Sequence, residues 1–139
     1  MPTLSEIRDD FSLLDDWEDR YRYVIELGRQ LPEFPEVMRT DANKVRGCAS
    51  QVWISSSIGE RDGQRHMHFE GDSDAHIVKG LIAVLFALYQ DATPEEILQS
   101  DPKSVFTEFG LAEHLTQQRS NGLASMVQRI RADASAAGT

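Results

Sequence analysis

The chain has 139 residues, and 40% of them are hydrophobic. That length and composition predict one domain over residues 1–139, with a core large enough to be stable without disulfides or metal ions. The formal net charge of -9, from 23 acidic and 14 basic residues, excludes nucleic acid and anionic membranes as expected partners, because their phosphates would repel the protein. The first residues lack the pattern of a signal peptide, so we expect a cytoplasmic protein.

The first third of the sequence predicts two amphipathic helices and a long connection. Thr3 and Glu6 form a capping box that begins a helix within residues 1–15. A second helix, over about residues 17–31, carries its apolar side chains on one face and ends at a proline. Residues 35–47 lack apolar periodicity, which indicates a surface loop of a length that often serves function.

The middle of the sequence predicts an antiparallel hairpin and then a buried helix. Residues 51–58 alternate as a half-buried strand does, Asp62-Gly63 supplies a tight turn, and residues 64–70 form the return strand. Asp74 is the expected N-cap of a helix over residues 75–89, which is apolar nearly all round. This helix falls short of the ~20 residues that a membrane span needs, so we expect it at the centre of the core.

The last third predicts two short helices and one long one. Thr93-Pro94 and Asp101-Pro102 combine a cap with a proline, as the beginnings of helices do. The long helix covers about residues 117–134, and residues 132–139, rich in alanine and serine, are expected to fray. Helices around one hairpin, without βαβ alternation, predict an α+β fold in which a small antiparallel sheet packs against several helices.

Cys48, the only cysteine, is the first candidate for chemistry. A lone cysteine is more often a small buried hydrophobe than a reactive group. Three local features favour reactivity: the position between an irregular segment and a strand, the conformational freedom of Gly47, and the charges of Lys44 and Arg46, which would favour the thiolate. From these residues alone, a structural and a reactive Cys48 both stay open.

The other candidates are weaker. His66 and His68 share one face of a strand, but a zinc site needs three or four ligands and no further ligand motif accompanies them. Residues 71–74 lack the additional oxygen ligands of a calcium-binding loop. Without further information, Arg119 is interpreted as a surface residue that forms an ion pair. No metal or other cofactor is therefore expected.

Two long stretches stand out when the sequence is compared with known families. Residues 45–54, VRGCASQVWI, and residues 71–85, GDSDAHIVKGLIAVL, occur in order with shorter matching segments over about residues 17–131. Together they resemble the SufE family of sulfur acceptors for cysteine desulfurases. The resemblance implies an α+β fold like that of IscU-type scaffolds, with the cysteine at the tip of a mobile loop and its resting thiol in an apolar cavity.

The resemblance also implies a function. Cys48 would accept persulfide sulfur from a PLP-dependent cysteine desulfurase of the SufS type, stimulate that enzyme, and pass the sulfur to a cluster assembly scaffold. The chain would then be a carrier and an activator, not an enzyme. It would not itself be the scaffold, since one cysteine supplies too few ligands for a cluster.

By the same analogy, Asp74 lies near Cys48, and Arg119 positions the loop or engages the desulfurase. The remaining residues that the analogy assigns to loop and partner positioning are Arg46, Gly47 and Gln51. An alternative function of another class is a redox-sensing module in which Cys48 is oxidised to sulfenic acid. A purely structural Cys48 is a third possibility, and the sequence leaves open whether the protein forms a homodimer.

Overall fold

The computed structural model describes residues 2–138, in which helices surround a two-stranded antiparallel sheet. The strands are β1 (Val52–Arg61) and β2 (Gln64–Ser73), and a 3₁₀ helix covers Glu36–Met38. The α-helices are α1 (Leu4–Ser12), α2 (Trp17–Arg29), α3 (His76–Tyr89), α4 (Pro94–Gln99), α5 (Lys103–Glu108), α6 (Leu111–His114) and α7 (Gln117–Ala137). This architecture confirms the predicted α+β class.

The hairpin forms where the sequence predicts it, with longer strands. Asp62 and Gly63 both have positive φ, 55° and 78°, as the two central residues of a type I′ turn must. Pairing continues from Arg61↔Gln64 to Val52↔Ser73. β1 extends beyond residue 58 because backbone pairing does not require burial, so its polar end continues into solvent. β2 extends beyond residue 70 through buried residues 71–73, which pair with residues 52–54.

Helix α3 is the centre of the core, and it packs closely on α2. Most of its residues are buried, which explains why its sequence is apolar nearly all round. The two helices approach backbone to backbone: a Cβ atom on Gly80 would lie 2.1 Å from the carbonyl oxygen of Val24, and one on Gly28 would lie 2.6 Å from the amide nitrogen of Gly80. Any larger residue at either glycine would force the helices apart.

The predicted N-cap of α3 is wrong. The helix begins at His76, its N-cap position is Ala75, and no side chain caps it. Asp74 lies one residue earlier and instead accepts a hydrogen bond from the amide of Gln51, at 3.0 Å. Asp74 therefore does not cap the helix, because its side chain bonds a residue 23 positions away in the chain.

The C-terminal segment is also different from the prediction. Helix α7 continues to Ala137, and Ala134 and Ala137 are buried, so residues 132–137 do not fray. Their small side chains pack on the core, and Arg65 donates a hydrogen bond to the carbonyl of Ala137 at 2.9 Å. Met1 and Thr139, which the predicted helix and tail include, lie outside the described residues.

Further contacts hold α7 across the sheet. Arg129 donates to the carbonyl of Ile54 at 3.1 Å and pairs with Asp133, which in turn accepts from Ser56 at 3.0 Å. The sequence also missed α6, which starts at Gly110, a residue with a φ of 75°. None of the helices within residues 2–138 combines the length and the apolar character of a membrane span.

Candidate functional site

Cys48 lies on a loop, residues 46–51, that we call the cysteine loop. Its two ends are joined by backbone pairing between residues 43–45 and β1. Val45 donates to the carbonyl of Val52, and Ile54 donates to the carbonyl of Asn43, each at 2.8 Å. The chain therefore enters and leaves the loop at one fixed place, the base of the loop.

Asp74 strengthens this base from the short segment between β2 and α3. Its Oδ1 accepts from the amide of Gln51 at 3.0 Å, and its own amide donates to the carbonyl of Gln51 at 3.3 Å. This pair of bonds ties the last residue of the cysteine loop to the segment between β2 and α3. The structure thus brings Gln51 and Asp74 together, although 23 residues separate them in the chain.

The tip of the loop, Gly47 and Cys48, rests on α7. The Cys48 thiol donates to the carbonyl of Gly122 with an Sγ···O distance of 3.5 Å. Gly47 has a φ of 89°, and a Cβ atom at this position would lie 2.5 Å from Oγ of Ser125. Glycine is favoured here because the backbone is left-handed, and an added Cβ atom would also displace the hydroxyl of Ser125.

The thiol borders a small cavity of about 190 Å³ between the cysteine loop, α3 and α7. Its apolar lining comes from Val78, Leu81 and Met126, and the polar lining is Ser50, Thr116, Gln118 and Arg119. Since one water molecule occupies about 30 Å³ of liquid, the cavity has room for a small additional group beside Cys48.

Burial raises the pKa of the Cys48 thiol above its ordinary value of 9.0. The expectation that Lys44 and Arg46 favour the thiolate is therefore wrong. Arg46 is exposed, and water screens its charge, whereas the apolar surroundings penalise the thiolate directly. In the resting structure the thiol is thus protonated and a poor nucleophile at neutral pH.

Arg119 lies at the cavity, half-buried, in the first turn of α7. Its amide donates to Oγ1 of Thr116, which caps the helix. Within residues 2–138, its guanidinium has no ion pair or hydrogen bond, so the interpretation of Arg119 as a surface ion-pair partner is wrong for the described chain. The guanidinium is free to meet another group.

Sequence reasoning missed a charged cluster beside the loop. Arg39 donates a hydrogen bond to Asp72 and lies over the ring of Trp53, with its guanidinium carbon 4.9 Å from the ring centroid. Nζ of Lys79 is 3.5 Å from Oδ1 of Asp72, a charge contact without hydrogen-bond geometry. Trp53 and Asp72 lie opposite each other in the hairpin. This pairing is the only feature from which the sequence could have predicted the cluster.

This cluster fixes the long connection that leads to the cysteine loop. Asp72 is only 9% exposed. Burial by itself raises its pKa, but the hydrogen bond from Arg39 and the charges of Lys79 and Arg39 outweigh burial and hold the pKa below its ordinary value of 3.8. Asp72 is therefore ionised at neutral pH, and Arg39 links the 3₁₀ segment to β2.

The two strand histidines do not form a metal site with other described side chains. Nδ1 of His66 is 2.7 Å from the carbonyl oxygen of Asp91, and His68 is exposed beside Glu70. In the part of the chain from residue 2 to residue 138, no group of three or more His, Cys, Asp or Glu side chains is arranged to hold a metal ion.

Comparisons with known proteins find relatives of nearly the whole chain. A family model described as "SufE: Fe-S metabolism associated domain" matches residues 5–134. An uncharacterized SufE-like protein of Rhizobium meliloti (strain 1021) is 53% identical over 135 residues, which cover 96% of both chains. An uncharacterized SufE-like protein of Rhizobium etli is 55% identical over 134 residues, 96% of this chain and 90% of that one.

The fold is also found among solved structures. The solution structure of a hypothetical protein from Thermus thermophilus matches with a TM-score of 0.74, over 96% of this chain and 94% of the other. The two sequences are 21% identical, so this likeness concerns the fold alone.

Proposed function

Because this chain belongs to the SufE family of iron–sulfur metabolism, we propose that it accepts persulfide sulfur on Cys48 from a PLP-dependent cysteine desulfurase of the SufS type. It stimulates that enzyme and passes the sulfur to a cluster assembly scaffold, in the cytoplasm. The observation that carries the proposal is the position of the only cysteine, at the tip of a loop with a firm base and a weakly held tip.

The loading step is an exchange at sulfur. The Cys48 thiolate attacks the outer sulfur of the persulfide on the enzyme's cysteine. A new S–S bond forms at Cys48, the old S–S bond breaks, and the enzyme's cysteine leaves as a thiolate with the electron pair. The step needs no external oxidant or reductant, because the transferred sulfur keeps its oxidation state. The proton of Cys48 passes to water or to the partner. Delivery to the scaffold repeats the exchange with Cys48 as the leaving group.

The resting structure protects the thiol. Its raised pKa keeps it protonated, and its half-buried position restricts access to it. Loading therefore requires the tip to move away from α7 so that water can solvate the thiolate. The contact to Gly122 breaks first, because a thiol is a weak donor, whereas each ordinary hydrogen bond at the base contributes about 0.5–1.5 kcal/mol.

Two charged residues are assigned positioning roles in this proposal. Asp74 keeps the base of the loop in place through Gln51 while the tip moves. Arg119 lies at the cavity with its guanidinium unpaired among residues 2–138, where it is able to meet a group of the desulfurase or to guide the open loop. Neither residue exchanges atoms with the sulfur.

The direct test is sulfur loading. The protein is mixed with a purified SufS-type cysteine desulfurase and free cysteine, and its intact mass is measured. We expect one added sulfur atom on the parent chain and none on Cys48→Ser. The proposal fails if the parent acquires no sulfur and Cys48→Ser stimulates the desulfurase as strongly as the parent does.

The redox-sensing alternative has less support. A sensor cysteine needs an exposed thiol of low pKa, and Cys48 is half-buried with a raised pKa. Peroxide should therefore oxidise Cys48 slowly, at a rate that increases when the protein is unfolded in urea. Rapid oxidation of the folded protein, without binding to the desulfurase, would favour the sensor instead.

A further inference from the structure

The two segments that surround Cys48 differ in charge from the rest of the protein. Residues 42–59 and 114–132 contain no aspartate or glutamate. Their five basic residues are Lys44, Arg46, Arg119, Arg129 and Arg131. The other nine of the 14 basic residues share the remainder of the chain with all 23 acidic residues. Both segments are thus basic in a strongly acidic protein, and the structure adds one exposed carboxylate beside the cysteine loop, that of Asp74 at Gln51.

Two of these five basic side chains already have partners within the fold. Arg129 pairs with Asp133, and Arg131 donates to carbonyl oxygens at the end of α4. The other three have no side-chain hydrogen bond or ion pair with any of residues 2–138. We call these three the cationic rim: Lys44, Arg46 and Arg119.

The beginning of α7 adds to the positive potential. Thr116, Gln118 and Arg119, at its first turn, line the cavity beside Cys48. This turn contains no acidic residue, whereas the first turns of α1, α2 and α4 each contain at least one. The partial positive charge of the helix end is therefore not neutralised by a carboxylate of its own turn.

The cationic rim serves neither the thiol nor the fold. It does not lower the pKa of Cys48, which burial raises. It also makes no ion pairs within residues 2–138, although the chain has nine more acidic than basic residues with which to make them. Arg119 lines the cavity, and Lys44 and Arg46 shortly precede Cys48 in the chain. Unpaired positive side chains at these positions are available to an anionic surface from outside.

We propose that the cationic rim docks on an acidic surface at the mouth of the active site of the desulfurase. This inference rests on the proposed function and names the chemistry of the partner surface. Complementary charge accelerates encounter and sets orientation more than it adds affinity. Most of this protein would repel an acidic partner surface, whereas the cationic rim would attract it. The protein would therefore approach the desulfurase with Cys48 facing the enzyme.

The test uses one charge reversal and a matched control. Arg46→Glu changes the sign of an exposed residue of the rim. Arg61→Glu makes the same change in charge at the far end of β1, where Arg61 is also exposed. Arg46→Lys keeps the charge. Because these side chains are exposed, we expect all three variants to fold, and thermal unfolding checks this.

Binding to the desulfurase that loads Cys48 is measured by stopped-flow and at equilibrium, in about 50 mM and about 300 mM salt. We expect the association rate of the parent to fall about tenfold from the lower to the higher salt concentration. At the lower salt concentration, Arg46→Glu should bind about tenfold more weakly than the parent, and its binding should depend little on salt. Arg46→Lys and Arg61→Glu should stay within about twofold of the parent.

The outcomes separate the two proposals. If the parent chain loads sulfur but Arg46→Glu binds as Arg61→Glu does, or if salt does not slow the parent, the docking inference is overturned and the proposed function stands. If the parent itself acquires no sulfur from the enzyme, the proposed function fails, whatever the binding data show.

Discussion

The base and the tip of the cysteine loop are held by different kinds of contact. At the base, four hydrogen bonds donated by backbone amides join residues 43–45, β1 and the start of α3, and Asp74 takes part in two of them. At the tip, the thiol makes a 3.5 Å contact with the carbonyl of Gly122. Because its ends are held firmly and its tip weakly, the loop is able to open without losing its position on the protein. Substitutions at the base and at the tip should therefore have different effects.

The largest loss of stability should come from replacing Arg39, which fixes the connection that leads to the base of the cysteine loop. Arg39→Ala leaves the carboxylate of Asp72, 9% exposed, without its guanidinium partner and with the weaker contacts to Lys79 and to the backbone of Ser73. We expect the free energy of unfolding to fall by more than in any variant below, as measured by urea unfolding, because the buried carboxylate of Asp72 loses its main partner.

The matched control for Arg39→Ala is Glu36→Gln, which removes the exposed partner of the same arginine. It should cost less than about 0.5 kcal/mol, since exposed ion pairs contribute little. Equal losses in the two variants would show that the buried contact to Asp72 does not strengthen the base.

Gly47→Ala should disturb the tip selectively. The new Cβ atom meets Ser125 and the left-handed backbone becomes strained, at a cost of about 2 kcal/mol. Because the strain and the displaced hydroxyl of Ser125 loosen the tip on α7, Cys48 should react with a maleimide about tenfold faster than in the parent.

Gly63→Ala is the control for Gly47→Ala. Gly63 also has a positive φ, 78°, but nothing lies within 4 Å of an added Cβ atom. The strain should be similar, while the labelling rate of Cys48 should not change. If both variants accelerate labelling equally, general destabilisation, and not the tip, controls access to the thiol.

Asp74→Ala should weaken the base moderately. It removes the acceptor for the amide of Gln51, which costs about 1 kcal/mol, and the loop should then label about threefold faster. Asp74→Asn retains an acceptor oxygen and should lose less than half as much stability. If the alanine variant is as stable and as slowly labelled as the parent, Asp74 does not fix the base.

The smallest effect concerns pH and the resting thiol. Since burial raises the pKa of Cys48 above 9.0, its alkylation rate should be half-maximal above pH 9.0 in the folded parent and near 9.0 in urea. A raised pKa also means that the thiol's contribution to stability is present below pH 9.0 and is lost as the pH rises through the folded pKa. Cys48→Ser should therefore lose less stability than the parent above pH 9.0, and equal losses would contradict burial as the cause.

The elements that sequence patterns predicted well depend on neighbouring residues. The turn at Asp62-Gly63 needs positive φ at two adjacent positions, and these residue types favour it locally. The apolar run of α3 identifies a buried helix wherever that helix packs. The motif around Cys48 likewise identified the family, because it is contiguous in the chain.

The predictions that were wrong depend on distant residues. Asp74 has every local property of an N-cap, yet it bonds Gln51 on the cysteine loop. Residues 132–137 have a composition typical of a frayed end, but Ala134 and Ala137 fill space against the core. The pair of Arg39 and Asp72 joins positions 33 residues apart and leaves no local pattern.

By itself, the sequence determined the α+β class, the family, and the single cysteine on which the proposed sulfur transfer depends. Only the tertiary structure decided the state of that cysteine. The charges of Lys44 and Arg46 next to it in the chain suggested a thiolate, whereas α3 and α7 bury it and raise its pKa. The physical reason is that desolvation depends on whatever packs around a group, and the groups around Cys48 come from distant parts of the chain.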